Sequence, residues 1–210
     1  MTSEPPRASA KPRKTTREDR LLAAMERLFE RGQNFASITV EELAREAGIS
    51  RATFYLHFKD KNELVARLMG RLTQEVVTSA GDWFDSKGQS GPQTVKQALT
   101  GIVMTFRKHH AIVAAVAATS GQDATIARLH DDMMRELCAH SRRALATVKA
   151  DSPAAGVSWD MVADVLTWCV EEYCARVVGQ YDAAHLDALI NTFTHICNSA
   201  IFTAAPPQRA

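Results

Sequence analysis

No window of the 210-residue chain approaches the roughly 20 uncharged apolar residues that a bilayer-spanning helix needs. The opening, MTSEPPRASAKPRKTTR, is basic and holds Pro and Ser, with no apolar core to act as a secretory signal. The four cysteines, Cys138, Cys169, Cys174 and Cys197, form no CxxC pair and no metal-ligand spacing. They read as reduced thiols packed inside a cytoplasmic protein. There is no HExxH, no nucleophile elbow and no glycine-rich phosphate loop. His109, His110, His130 and His140 therefore read as surface or helix-end residues, and no catalytic residue, cofactor or metal is expected. Nor does any stretch of useful length alternate apolar and polar side chains, which argues against a sheet. An apolar fraction of 46% beside 23% charge is enough for a real core.

Charge is scarce in sum but unevenly placed. Net charge is only +1. Up to Arg71 there are 14 Lys and Arg against 10 Asp and Glu, and beyond it 11 against 14. A polyanion would be met by the front of the chain.

What remains is helical periodicity almost throughout. Residues 1–16 read as a disordered basic arm carrying Arg7, Lys11, Arg13 and Lys14. In EDRLLAAMERLFERG, Leu21, Met25, Leu28 and Phe29 recur on one helical face, and Gly32 ends the run. In SITVEELAREAG, Thr39 and Glu42 form a capping box and Gly48 is the stop. Ser50 caps a short helix from Arg51 to about Phe58. Asp60 with Glu63 opens a long fourth helix, read as continuing towards Trp83 and Phe84. DSKGQSGP and ADSPAAGVS are loops, and helical patterns occupy 92–108, 110–119, 123–149, 158–180 and 183–203. The fold class is all-α: a three-helix head over 17–70 and a larger helical body over 71–205.

Two helices joined by a glycine turn, the second short, make the unit that places its second helix in a major groove. At 100° per residue, Phe54 and Phe58 share the inward face of that second helix. Ala52, Thr53 and Leu56 point the other way, flanked by Arg51, Tyr55 and His57. The outward set mixes a guanidinium fork, hydroxyls, small apolar tips, a phenol and an imidazole, a mix suited to base edges and phosphates. Arg51 suits guanine and Thr53 either base, while Ala52 or Leu56 suits a thymine methyl. Tyr55, His57, Lys59 and Lys61 suit the sugar-phosphate backbone.

VEELAREAGISRATFYLHFKDKNELV resembles the helix-turn-helix of the TetR/AcrR family of transcriptional regulators. The matching residues include Thr39, Ala44, Ala47-Gly48-Ile49-Ser50, Phe54-Tyr55, His57-Phe58, Lys61 and Glu63-Leu64. The resemblance implies a homodimer whose heads bind a palindromic double-stranded operator and whose bodies enclose a small-molecule pocket. It implies phosphate contacts from Tyr55, His57 and Lys61 and base contacts from Arg51, Ala52 and Thr53; with Thr39, Ser50, Leu56 and Lys59 these make up the expected DNA-binding set. Glu41 and Glu42 stand where some members carry a basic base-reading residue, so specificity should rest on Arg51 and Thr53. The GISRATFY wording is close to the EthR-type branch, which implies a lipophilic ligand. A repressor is the expected role. An activator, or a non-specific DNA-binding protein with the same head, is the alternative.

The body carries no quotable motif. Its large or soft side chains are the pocket candidates: Trp83, Phe84, Met104, Phe106, Met133, Trp168 and Tyr173, with Glu172 as a polar member. Glu172 and its neighbour Glu171 also have a plainer reading, one facing solvent and the other pairing with Arg176. The last two helices resemble the pair that forms the family's four-helix dimer interface. The residues expected there are Leu166, Cys169, Val177, Leu189, Phe193, Ile196 and Cys197.

Overall fold

The computed structural model describes residues 16–85, 91–148 and 157–202. The basic arm and most of the two expected loops lie outside the described residues. Every described element is helical: α1 (Arg17–Glu30), α2 (Val40–Glu46), α3 (Arg51–Tyr55), α4 (Lys61–Ser79), α5 (Asp82–Asp85), α6 (Pro92–Lys108), α7 (His110–Ser120), α8 (Ala124–Val148), α9 (Trp159–Val177) and α10 (Ala183–Phe202). A single 3-10 turn, Val178–Gln180, ends α9.

Local chemistry sets the boundaries. Thr16 and Asp19 form a reciprocal capping box at the start of α1, and Thr39 with Glu42 does the same for α2. Side chains of Ser50 and Asp60 cap α3 and α4. Gly48 ends α2 at a φ of 64°, a left-handed conformation that costs glycine little. There Ile49 N–H donates to Ala44 C=O at 2.9 Å, closing the helix end.

One boundary differs from the sequence reading. The fourth helix does not reach Phe84. It stops at Ser79, and Gly81, at a φ of 54°, redirects the chain into the one-turn α5. The apolar period carries on past residue 80, but the turn swings Trp83 and Phe84 into the body instead of prolonging the rod.

The buried side chains form one continuous cluster from α1 to α10. Helix α4 crosses residues 70 and 71 unbroken and packs on α1, α6 and α8, so it joins head to body. Its end approaches α6 closely: a Cβ on Gly101 would lie 2.1 Å from Ser79 C=O. Three cysteines are buried as expected, whereas Cys169 is exposed. Its position on the outward face of α9, not its local sequence, decides that.

Candidate nucleic-acid interface and ligand cavity

Phe54 and Phe58 anchor the short helix as expected, at 0% and 2% exposure, with their rings 5.8 Å apart. The far side of α3 is open: Arg51, Ala52, Tyr55, Leu56, His57 and Lys59 are exposed, with Leu56 at 78%. The Arg51 guanidinium lies 5.7 Å from the centre of the Tyr55 ring, and that ring meets Phe54 edge-on. A buried phenylalanine thus braces the tyrosine that supports the arginine.

The two hydroxyls beside them are partly committed. Ser50 Oγ accepts from Thr53 N–H at 3.1 Å and lies 2.9 Å from Thr53 Oγ1. Thr39 Oγ1 is held in its capping box by Glu42. These residues set where the helices begin, and only their remaining lone pairs or protons face outward.

Lys61 is placed differently from the sequence reading. Its Nζ donates to three carbonyls of the α1–α2 connection, Phe35 at 2.9 Å, Ala36 at 3.1 Å and Ile38 at 3.0 Å. It also lies 4.6 Å from the centre of the Phe35 ring. An ammonium has three N–H donors, and all are engaged. Burial pushes its pKa down, with Asp123 opposing. Here Lys61 clasps the head together and has no free donor for a phosphate.

Ion pairs complete the clasp. Glu46, at the end of α2, takes Arg27 and Arg31 of α1, each at 2.7 Å. Its carboxyl is brought down to about 2, chiefly by the Arg31 hydrogen bond and then by Arg27. Arg67 and Arg71 of α4 reach Glu18 and Asp19 of α1. With these cations occupied, Arg45 before the turn, Arg51 on α3 and Lys59 beyond it are exposed basic side chains without an ion pair among the described residues.

Where head meets body, His109 stands between Glu75 of α4 (2.9 Å) and Glu26 of α1 (3.6 Å). The Glu26 carboxylate, and then Glu75, which is hydrogen-bonded to it, raise its pKa against the opposing effect of burial. The sequence showed two adjacent histidines but not that three helices converge on one of them.

The body holds a cavity of about 80 Å³ between α4, α5, α6, α8, α9 and α10. Its wall is mostly apolar, with Trp83, Phe84, Leu99, Phe106 and Leu137 prominent. By the same measure one water needs about 10–15 Å³, so several fit. Of the expected pocket residues, Trp83, Phe84 and Phe106 line it. Met133 is buried elsewhere, and Met104, 49% exposed, lies in a surface groove between α4 and α6. Trp168 and Tyr173 stand outside on α9, the Tyr173 hydroxyl 3.0 Å from that of Tyr181. Glu172 is also outside, paired with Arg176. Its neighbour Glu171 is the one that turns inward: it is 2% exposed, lines the cavity, and its Oε1 lies 3.2 Å from His130 Nε2. Adjacent helical residues differ by 100°, so one glutamate faces water and the next the core.

The expected interface residues divide similarly. Leu166 and Cys197 line the cavity, Leu189 and Phe193 are buried, and Val177 is half-buried at the end of α9. Cys169 and Ile196 are exposed. The strongest apolar stripe of each helix serves the chain's own core. A weaker one, Met161, Val165, Trp168 and Cys169, is left outward on α9.

No group of three or more candidate metal ligands occurs among the described residues, and none of their helices is long and apolar enough to cross a membrane.

Comparison with known proteins bears on the same surfaces. Residues 21–68 match the family model described as bacterial regulatory proteins, tetR family. The chain is 27% identical over 207 residues to the HTH-type transcriptional regulator EthR of Mycolicibacterium smegmatis, covering 95% of this chain and 93% of that protein. It is 31% identical over 140 residues to EthR of Mycobacterium tuberculosis H37Rv, an overlap of 64% of this chain and 62% of that one. A crystal structure of a TetR-family regulator from Syntrophomonas wolfei superposes with a TM-score of 0.75 at 12% identity, over 91% of this chain and 98% of that one, a likeness of fold.

Proposed function

Because the chain belongs to the TetR family of DNA-binding transcriptional regulators, whose members are commonly repressors, we propose that it is a homodimeric repressor released from a palindromic operator by a small lipophilic effector. The carrying observation is the outward face of α3. It is left exposed by the described residues, chemically varied, and held by two buried phenylalanines. Residues 17–70 bind DNA. Arg51, Ala52, Thr53 and Leu56 read base edges, and Tyr55, His57, Lys59 and the helix-capping Thr39 and Ser50 meet the backbone. Lys61 is a positioning residue that fixes the α1–α2 connection beneath them.

Residues 71–205 bind effector and pair two copies. The mostly apolar wall of the cavity supports a lipophilic effector. The outward stripe of α9, continued by Ile196 of α10, supports pairing through these two helices. Two heads then present recognition helices one helical turn, about 34–36 Å, or a multiple of it apart. An effector releases DNA to the extent that it prefers the incompatible spacing.

The test is a mobility shift on the DNA upstream of the chain's own gene, with Arg51→Ala alongside. Sequence-specific retardation is expected, with discrimination at one base position weakened by about 1–3 kcal/mol in the variant. Binding that ignores sequence at physiological salt would favour a non-specific DNA-binding protein. A specific complex that no effector ever releases would favour an activator.

A further inference from the structure

The reading of the body as an effector domain leaves the effector's chemistry open, and Glu171 narrows it. Its carboxylate is 2% exposed on the cavity side of α9. One oxygen, Oε1, takes His130 at 3.2 Å, while Oε2 is buried with no hydrogen-bonding partner among the described residues. A buried carboxylate oxygen has up to two lone pairs to satisfy, and leaving them unmatched is unfavourable. The two hydroxyls in the wall are matched: Thr167 Oγ1 lies 2.8 Å from Ser141 Oγ and donates to Ala163 C=O at 2.7 Å. Among the described residues, no Lys, Arg or His side chain lines the cavity. Among the described residues, the wall therefore offers one carboxylate oxygen without a partner, two paired hydroxyls, and otherwise a mostly apolar lining.

We propose that Glu171 Oε2 is the polar anchor of the effector site, and that the ligand it selects is a lipophilic amine. The ammonium donates to Oε2, and the hydrocarbon lies against Trp83, Leu99, Ile102, Phe106 and Leu137. His130 is a positioning residue. Its hydrogen bond holds Oε1 and so aims Oε2 into the cavity, and the edge of the Trp168 ring, 5.7 Å away, backs the imidazole. The charged neighbours of this imidazole are Glu171, Asp131 and Glu172, all acidic, so it only partly offsets the local negative charge. A fatty acid is the disfavoured counterpart, since its carboxylate would face Glu171 with no cation in the wall to receive it. The enclosed volume in this arrangement favours a short chain.

The experiment uses the full chain without DNA, titrated calorimetrically at neutral pH with n-hexylamine, hexan-1-ol and hexanoate. The three share one hydrocarbon body and differ in the head group. The expected order is amine, then alcohol, then acid, with amine over alcohol by about tenfold, the gain of a charge-assisted bond over a neutral one. In Glu171→Gln, near-isosteric but uncharged, the amine's advantage is expected to vanish while the alcohol still binds. Equal binding of hexanoate and hexylamine to the unmodified chain would overturn the proposal, as would no binding of the amine, and neither result depends on the variant folding. A folded Glu171→Gln protein that kept its amine preference would overturn it as well. Because DNA is absent, these failures leave the regulator reading standing if the operator fragment is still retarded. Loss of that retardation would fail the regulator reading instead.

Discussion

The head and the body of this chain solve opposite packing problems. In the head, the charged clasps are matched and the outer face of α3 is left open: Lys61 fills three carbonyls and Glu46 takes two arginines. In the body, an unmatched carboxylate is inside: Glu171, whose Oε2 has no hydrogen-bonding partner among the described residues, lines a mostly apolar cavity. An open polar face suits a large hydrated polyanion that docks from outside. An enclosed carboxylate suits a small molecule that leaves water behind.

The largest way to break this contrast is through the anchor of the head. Phe54→Ala removes a fully buried ring and should cost about 3–5 kcal/mol. Hydrogen exchange should then show α1–α3 opening while α8–α10 keep their protection, with operator binding lost. Protection lost evenly throughout would mean that head and body fold as one unit. Gly101→Ala strikes the junction, because the added methyl group meets the Ser79 carbonyl at 2.1 Å. About 3 kcal/mol is expected, near the upper end for overpacking, read as a lower midpoint in chemical denaturation. A neutral result would mean that α4 slides on α6 freely.

Lys61→Met sharpens the division inside the head. Loss of the carbonyl clasp should cost about 2 kcal/mol. The dependence of operator affinity on salt should keep its slope, whereas a phosphate contact would shallow it by about one unit. The smallest effect is expected at His109. Its raised pKa means that the pairing with Glu26 and Glu75 stabilises the fold fully below the ordinary histidine value, about 6.5. That contribution is lost as pH rises through the elevated folded value. Measured as the difference between the unmodified chain and His109→Ala, thermal stability should converge towards alkaline pH, with Lys108 beside Glu75 limiting the size of the change. A difference independent of pH would remove the charge from this junction.

The same contrast explains how much was legible beforehand. The caps, the glycine stop and the inward pair Phe54 and Phe58 depend on residues a few positions apart, so helical geometry alone places them. Lys61 escaped because its partners lie 23 to 26 positions back, at carbonyls that carry no sequence signature. In the body, side-chain size found Trp83 and Phe106, but the sequence reading took Glu172 as the polar member where the cavity has Glu171. That choice depends on the rotation of α9 against α8, where His130 sits 41 positions away. The outward stripe of α9 was missed for a related reason: a helix with apolar residues on several sides does not announce which side meets its own chain.

Helix α9 turns Leu166, Val170 and Glu171 towards the cavity and Val165, Trp168 and Cys169 away from it. On the proposed reading, an effector held against one flank presses on the opposite flank, where the second copy pairs. Occupancy and self-association then become reciprocal quantities. Diluting the protein should alter how tightly it holds its small molecule, and saturating it with that molecule should shift the concentration at which pairs come apart.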